Sequence, residues 1–388
     1  MNADNVNPSN NNDLRANAQL VRCVSESINS SLLADTFDAY YCARKGKRNT
    51  HSQIRFERNL LENIVSLVDE IENGRYKPGK SMCFIYKERQ ILREVFAASF
   101  RDRVVHWLVY NYIYPVLTPT FIYDSYSCIE GRGTLFGIKR LEHHIRSCSD
   151  NFSKTAWILK CDVQGFFMNI NREKLLQIVI DKINAKKPNL FSEYDFLPKL
   201  IHTIIMSDPT KSYYTKGNYK NDKLLLPKSK SLFFSPKGCG LPIGNLTSQL
   251  LSNVYLNEFD QFVKRTLKFK HYGRYVDDFF IVSDNKEELL AKLPLIREFL
   301  SEELGLILHP KKFYLQPIEK GVTFLGAFIK PHCRLMVRKQ KSIMYRRLEE
   351  LQTFDYPLSY VKTVHQSYKA YASNFYDKVD GRYFSIYL

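Results

Sequence analysis

The stretch Tyr272-Gly273-Arg274-Tyr275-Val276-Asp277-Asp278-Phe279-Phe280-Ile281-Val282 sets two adjacent acids between two apolar runs. Aromatic and β-branched residues dominate it, so a strand that turns sharply and returns as a strand is the expected local structure. Two carboxylates at the tip of such a hairpin repel each other and lose solvation unless a cation sits beside them. The arrangement suits a divalent metal held through hard oxygen ligands. An Asp-Asp turn by itself is more often a solvated acidic turn, so its meaning depends on what the rest of the chain places around it.

The chain has 388 residues, 44% of them hydrophobic and 14% aromatic. That is enough for a substantial core and two or three subdomains. The formal net charge of +17 favours a polyanionic partner, nucleic acid or an anionic membrane surface. No apolar run approaches the roughly 18 residues of a membrane span, and the N-terminus lacks a signal peptide's apolar segment. Nucleic acid is therefore the expected partner, and no membrane is expected. Eight cysteines occur without any Cys-x-x-Cys pair. They read as small buried residues in a reducing cytoplasm, neither a zinc site nor a disulfide framework.

Residues 1–20 are rich in Asn and Ser and read as a disordered tail. Helical patterning covers 21–73, with a basic knot at Arg44-Lys45-Gly46-Lys47-Arg48, and returns over 93–117. A short strand is expected at Ser81–Tyr86 after the Pro78-Gly79 turn. Trp157–Val163 is a strongly apolar strand ending at an acid, followed by a helix from about Arg172 to Ile183. The stretch 184–238 is rich in Lys, Ser and Tyr, with a helix near Leu197–Met206 and hairpin or loop thereafter. Further helices are expected over Thr247–Phe269 and Lys286–Leu304. Short strands follow near Leu306–Leu308, Phe313–Gln316 and Val322–Ile329, then helices near Ile343–Leu351 and Tyr360–Asn374. This order describes a sheet with helices packed on one side, able to bring Asp162 beside Asp277 although about 115 residues separate them.

At this point the chain resembles a reverse transcriptase, from about Phe37 to its C-terminus. Cys161-Asp162-Val163-Gln164-Gly165-Phe166-Phe167 resembles the first palm block. The resemblance makes Asp162 and the Val163 carbonyl metal ligands, with Asp162 and Asp277 bridging a pair of ions and Asp278 an adjacent, looser ligand. Nucleotidyl transfer needs one cation at the primer 3′-hydroxyl and another at the triphosphate; two Mg2+ ions are implied, with Mn2+ able to substitute in vitro. Of Phe166 and Phe167, one reads as core; the resemblance places Phe167 beneath the sugar. Gly240-Leu241-Pro242-Ile243-Gly244-Asn245-Leu246-Thr247-Ser248-Gln249 resembles the palm block under the templating base pair. There Gly244 would admit close approach of nucleotide or template, while Thr247 reads as a helix cap. Ile243 and Gln249 depart from the commonest pattern and resemble the enzymes of diversity-generating retroelements, which implies error-prone copying at template adenines.

Leu92-Arg93-Glu94-Val95-Phe96 through His106 resembles a fingers block, with Arg93 on the triphosphate. Arg103 reads equally well as a structural ion pair with Asp102. Ser125 through Thr134 resembles the next block, with Arg132 a nucleotide or template contact. Leu304 through Lys312 resembles the block whose lysine, here Lys312, protonates the leaving pyrophosphate; a solvated surface lysine is the competing view. Phe324-Leu325-Gly326 resembles the primer grip. A basic C-terminal segment with Arg334, Arg338, Lys339, Lys341, Arg346 and Arg347 is expected to hold the template–primer duplex. Lysines across 211–237 form a second candidate RNA surface, or a protein-binding one.

The implied fold is α+β, a right-hand polymerase: fingers over 21–150, palm over 151–330 with a finger-like or loop insertion at about 184–238, and a helical thumb over 331–388. The implied function is RNA-directed DNA polymerase acting on an RNA template, a DNA or RNA primer and dNTPs, aided by a small basic oligomeric accessory protein, in the cytoplasm of a bacterium or encoded by a phage. An antiphage-defence or prophage reverse transcriptase is the enzymatic alternative. An inactive RNA-binding scaffold is the alternative of another class.

Overall fold

A computed structural model describes residues 30–88 and 91–376; the expected tail over 1–20 and the last residues of the expected thumb lie outside them. The strands in chain order are β1 (Ser81–Glu88), β2 (Ile91–Ala97), β3 (Trp157–Val163), β4 (Tyr213–Thr215), β5 (His271–Tyr275), β6 (Asp278–Ser283), β7 (Leu308–Pro317), β8 (Val322–Phe324), β9 (Ala327–Lys330) and β10 (Cys333–Met336). The chain falls into two compact units. One comprises residues up to Thr120 together with Gly165–Leu256, and the other Phe121–Gln164 together with residues from Asn257 on. The architecture is α+β, as the resemblance implies. Among the described residues, no helix is long and apolar enough to cross a membrane.

In the first unit β1 pairs antiparallel with β2 and parallel with β4. The expected helix over 93–117 begins only at Phe100, because Glu94 and Phe96 alternate inward with strand period opposite Ile85 and Cys83. The helix Phe100–Leu117 is started by Ser99, whose hydroxyl accepts from the Asp102 backbone N–H at 3.2 Å. The core here gathers Cys83, Ile85, Phe96, Met168, Tyr219, Leu226 and Leu232. Glu94 is buried in it yet well partnered: Leu232 N–H donates at 2.7 Å, with the Ser231 and Tyr219 hydroxyls alongside. Burial raises its pKa despite those bonds. Asp102 does not pair with Arg103. It takes Arg101 at 3.2 Å, Tyr76 and the Gly79 N–H, while Arg103 Nε donates to the Ala98 carbonyl.

In the second unit β5-β6-β3-β7 form a four-stranded sheet, antiparallel throughout. Helices cover both faces rather than one. Ile158, Phe280 and Val282 pack with Ile138, Leu141 and Ile145 of the helix Thr134–Cys148. On the opposite face the ring of Phe279 meets Phe259 at 5.0 Å. The reason is visible in β6, which is buried at every position from Phe279 to Ser283; a continuous apolar run needs cover on both sides. The two short strands expected before Gln316 form a single strand, β7, and the third splits into β8 and β9 around a turn at Leu325-Gly326, both at positive φ. The expected helices over 247–269 and 286–304 end as α-helix at Gln261 and Glu298, each continuing as one wider π turn. Among the described cysteines, Cys83 and Cys161 are buried as expected of small core residues, whereas Cys128 is exposed.

Gly273 on β5 shows why the strand carries a residue without Cβ. Tyr126, fully buried, lies against it, and a Cβ there would also meet Phe280 Cζ at 2.7 Å. Gly273→Ala is therefore an overpacking change expected to cost about 1–3 kcal/mol, read as a lower urea midpoint at unchanged slope.

Candidate active site

The second unit brings the three predicted acids together. On β3 the side chains alternate, so Lys160 and Asp162 share a face while Cys161 and Val163 turn into the core. The register with β6 sets Asp162 directly opposite Asp278. Asp277 occupies the turn before β6, and its carbonyl accepts from the Val163 N–H at 3.2 Å. Like charges directly opposite on neighbouring strands destabilise a sheet. Burial first, then the Asp162 charge, pushes Asp277 up to about 6. Burial also raises Asp278 to about 6, against the opposing pull of Lys160.

Two lysines partly compensate. Lys160 Nζ lies 3.1 Å from Asp278 and Lys312 Nζ 2.8 Å from Asp162. Lys160 was not singled out in the sequence, although the two-residue period places it beside Asp162. Lys312 reaches its acid because the β3–β7 register shifts between Cys161 and Val163. It is 53% exposed, so both readings of it meet here: a surface lysine, and a lysine on the candidate metal ligand.

Among the described residues, no three His, Cys, Asp or Glu side chains are already arranged as a metal cage. The donor set nevertheless fits a hard divalent cation: oxygen ligands only, on half-buried carboxylates, with Asp277 and Asp278 raised in pKa by burial first and then by the Asp162 charge. Asp162, Asp277 and Asp278 would hold it, and the two lysines would yield to it.

The remaining predicted residues are distributed as follows. Arg93 is exposed on β2, on the face opposite Glu94. Phe166 is buried, and half-buried Phe167 packs against the first unit's core, its carbonyl accepting from Leu241 N–H at 2.8 Å. Ile243 is half-buried against the same core and its carbonyl accepts from Phe96 N–H at 2.9 Å. Gly244, at φ +123°, needs its missing Cβ for a reason internal to the protein, because that atom would meet Val95 Cγ1 at 2.7 Å and the Phe96 carbonyl oxygen at 3.2 Å. Asn245 Oδ1 accepts from Ala98 N–H at 3.1 Å. Thr247, expected as a cap, instead bonds His106 Nδ1 at 2.7 Å, and burial holds that imidazole at about 4, neutral. Gln249 is exposed.

Arg132 donates to the carbonyls of Ile122 and Ser125 at 3.0 and 2.9 Å, and so holds the loop before its own helix. The basic C-terminal residues divide. Arg334 is tied to Glu142 at 2.7 Å and Arg347 to Glu350 at 2.8 Å. Arg338, Lys339 and Arg346 are exposed and Lys341 half-buried on the helix Arg338–Thr353.

The sequence model of the family described as "Reverse transcriptase (RNA-dependent DNA polymerase)" matches residues 85–329. Protein YkfC of Escherichia coli strain K12 is 24% identical over 300 residues, covering 69% of this chain and 71% of that protein. The group II intron-encoded protein LtrA of Lactococcus lactis subsp. cremoris is 22% identical over 204 residues, covering 52% of this chain and only 28% of LtrA. Among solved structures, a Candida albicans telomerase in complex with a TWJ fragment of telomeric RNA aligns with a TM-score of 0.47 at 9% identity, over 81% of this chain and 59% of that one. The family match runs from Ile85 on β1 to Ile329 on β9, takes in Asp162, Asp277 and Asp278, and covers more than half of the chain: the protein belongs to the reverse transcriptase family of RNA-dependent DNA polymerases.

Proposed function

We propose that this chain extends a primer 3′-hydroxyl with dNTPs on an RNA template, by two-metal chemistry, as the error-prone polymerase of a diversity-generating retroelement. The observation that carries the polymerase reading is the Asp162–Asp278 register, which gathers three carboxylates at one end of the sheet. Bound Mg2+ would supply activation of the 3′-hydroxyl and charge neutralisation at the leaving pyrophosphate. Asp162, Asp277 and Asp278 supply the oxygen ligands, with the Val163 carbonyl as a further one. Lys312 Nζ, already beside Asp162, delivers a proton to pyrophosphate. Arg338, Lys339, Lys341 and Arg346 bind duplex phosphates. By resemblance, Arg93, Arg132, Phe167, Ile243, Gly244 and Gln249 contact nucleotide or template, and Ile243 with Gln249 supports the mutagenic subtype. The labels fingers, palm and thumb, the accessory protein and a bacterial or phage-encoded cytoplasmic setting belong to this same reading.

Primer extension on poly-rA and on a mixed RNA template with Mg2+ tests it, with any accessory protein supplied. Synthesis by wild type and loss with Asp277→Asn support the polymerase reading, and misincorporation concentrated at template adenines supports the subtype. Failure of wild type to extend would sink the first, and faithful copying of adenines the second.

The carboxylate crowding adds a signature in stability. Because the folded-state pKa of Asp277 is raised to about 6 from an unfolded value of about 4, the folded protein holds a proton that the unfolded chain releases across that window. Stability of the metal-free protein therefore falls as pH rises from about 4 to about 6 and stays reduced above it. At pH 7.5 Asp277→Asn is expected to raise the thermal midpoint, by about 1 kcal/mol of stability, while abolishing extension. Lys312→Ala is expected to lower kcat on the order of 10²-fold at unchanged template–primer affinity, measured by single-turnover extension. Replacing Lys339 and Arg346 together by Ala should reduce the salt slope of duplex binding by about 2, with no change in sequence preference.

A further inference from the structure

Arg274 is only 1% exposed. Its Nε and Nη2 donate to the two oxygens of Asp260 at 2.7 and 2.6 Å. Asp260 is itself fully buried and also accepts from the Tyr272 hydroxyl at 2.5 Å. The third nitrogen of the fork, Nη1, donates to the Val276 carbonyl at 2.9 Å. Val276 stands at φ +55°, a left-handed conformation that a β-branched residue adopts only when its surroundings impose it. One residue later, the Asp277 carbonyl is taken by the Val163 N–H. Two successive carbonyls of the acidic turn are thus held, one by the arginine fork and one by β3.

A buried ion pair is a poor device for stability alone, since apolar residues of similar volume often do as well or better. What an apolar residue cannot do is donate to Val276 while gripping Asp260. The rest of the strand end is fixed around this fork: Arg274 N–H donates to the Asp124 carbonyl at 2.9 Å, and Tyr126 N–H to the Arg274 carbonyl at 3.0 Å.

We propose that Arg274, locked in place by Asp260, is a positioning residue that fixes the Val276 carbonyl and with it the left-handed turn that aims the carboxylates of Asp277 and Asp278. This role rests on reading those carboxylates as the divalent-ion site. Arg274→Lys keeps a cation beside Asp260, but an ammonium lacks the planar fork that serves both acceptors. Ile145→Ala, a truncation in the second unit's core, is the stability-matched control.

Two readouts are needed: Mn2+ binding to the protein alone by water-proton relaxation, and the Mg2+ dependence of primer extension. Arg274→Lys is expected to weaken Mn2+ binding about tenfold and to raise the Mg2+ needed for half-maximal extension by a similar factor, at unchanged template–primer affinity. Ile145→Ala is expected to lower the melting temperature and move neither ion readout. Should Arg274→Lys fail to fold, Asp260→Asn, which frees the fork while keeping the side-chain shape, must show the same weakening. Wild-type Mn2+ affinity in the folded variant overturns the proposal, as does an equal shift in Ile145→Ala. A wild type that binds Mn2+, with the variant weakened, but extends no primer supports the positioning role while sinking the polymerase reading. A wild type that binds no Mn2+ overturns both.

Discussion

The second unit is organised around one electrostatic conflict: the sheet register that satisfies the backbone sets Asp162 against Asp278, with Asp277 one residue away. The hydrophobic pattern imposes this register despite the repulsion. A one-residue slip would relieve the repulsion but would turn Phe280 and Val282 to the opposite face. Because β3 and β6 are buried on both faces, the apolar contacts outweigh the repulsion and hold the acids in place. Burial first, and then the Asp162 charge, raises the pKa values of Asp277 and Asp278, and Lys160 and Lys312 are drawn to Asp278 and Asp162. A site that is strained without a ligand is one on which a ligand's charge has the most to act.

Much of the four-stranded sheet was legible because its signals are local. Trp157–Val163 and the Asp277-Asp278 hairpin read correctly from period, β-branching and flanking turns. Where the reading failed, tertiary context decided. The helix expected over 93–117 fails at 93–97, where Arg93 faces solvent and Glu94 is buried under Ser231 and Leu232, some 137 residues on in sequence. The long segment 213–236 read as loop or hairpin because its strand, short helix and turns are organised by that same buried carboxylate and by pairing with β1. Cover on both faces was missed because no helix was expected over Thr134–Cys148, the one that packs against Ile158, Phe280 and Val282.

Site residues show the same limit. Gly244 invites a ligand-contact reading, yet the nearest atoms to its absent Cβ are Val95 and the Phe96 backbone. The backbone there is closely approached, and by Val95 and Phe96 of the same chain. Thr247 suits a cap by type and position, yet its hydroxyl goes to a buried neutral histidine from another helix. Residue type restricts the physics available at a position. Which partner uses it depends on contacts between segments distant in sequence.

Desolvation finally separates the charges that build the protein from those left facing solvent. Arg274 and Asp260 are buried together and satisfy each other; Arg334 and Arg347 are tied to Glu142 and Glu350. A guanidinium with such partners has little left to offer a phosphate, because binding would first have to break them. Arg338, Lys339 and Arg346 are exposed on one helix, and Lys339 and Arg346 lie seven residues apart, two turns along the same face. The surplus of +17 is therefore not evenly available. Part of it holds turns and helix ends, and the rest stands exposed where counterions can exchange.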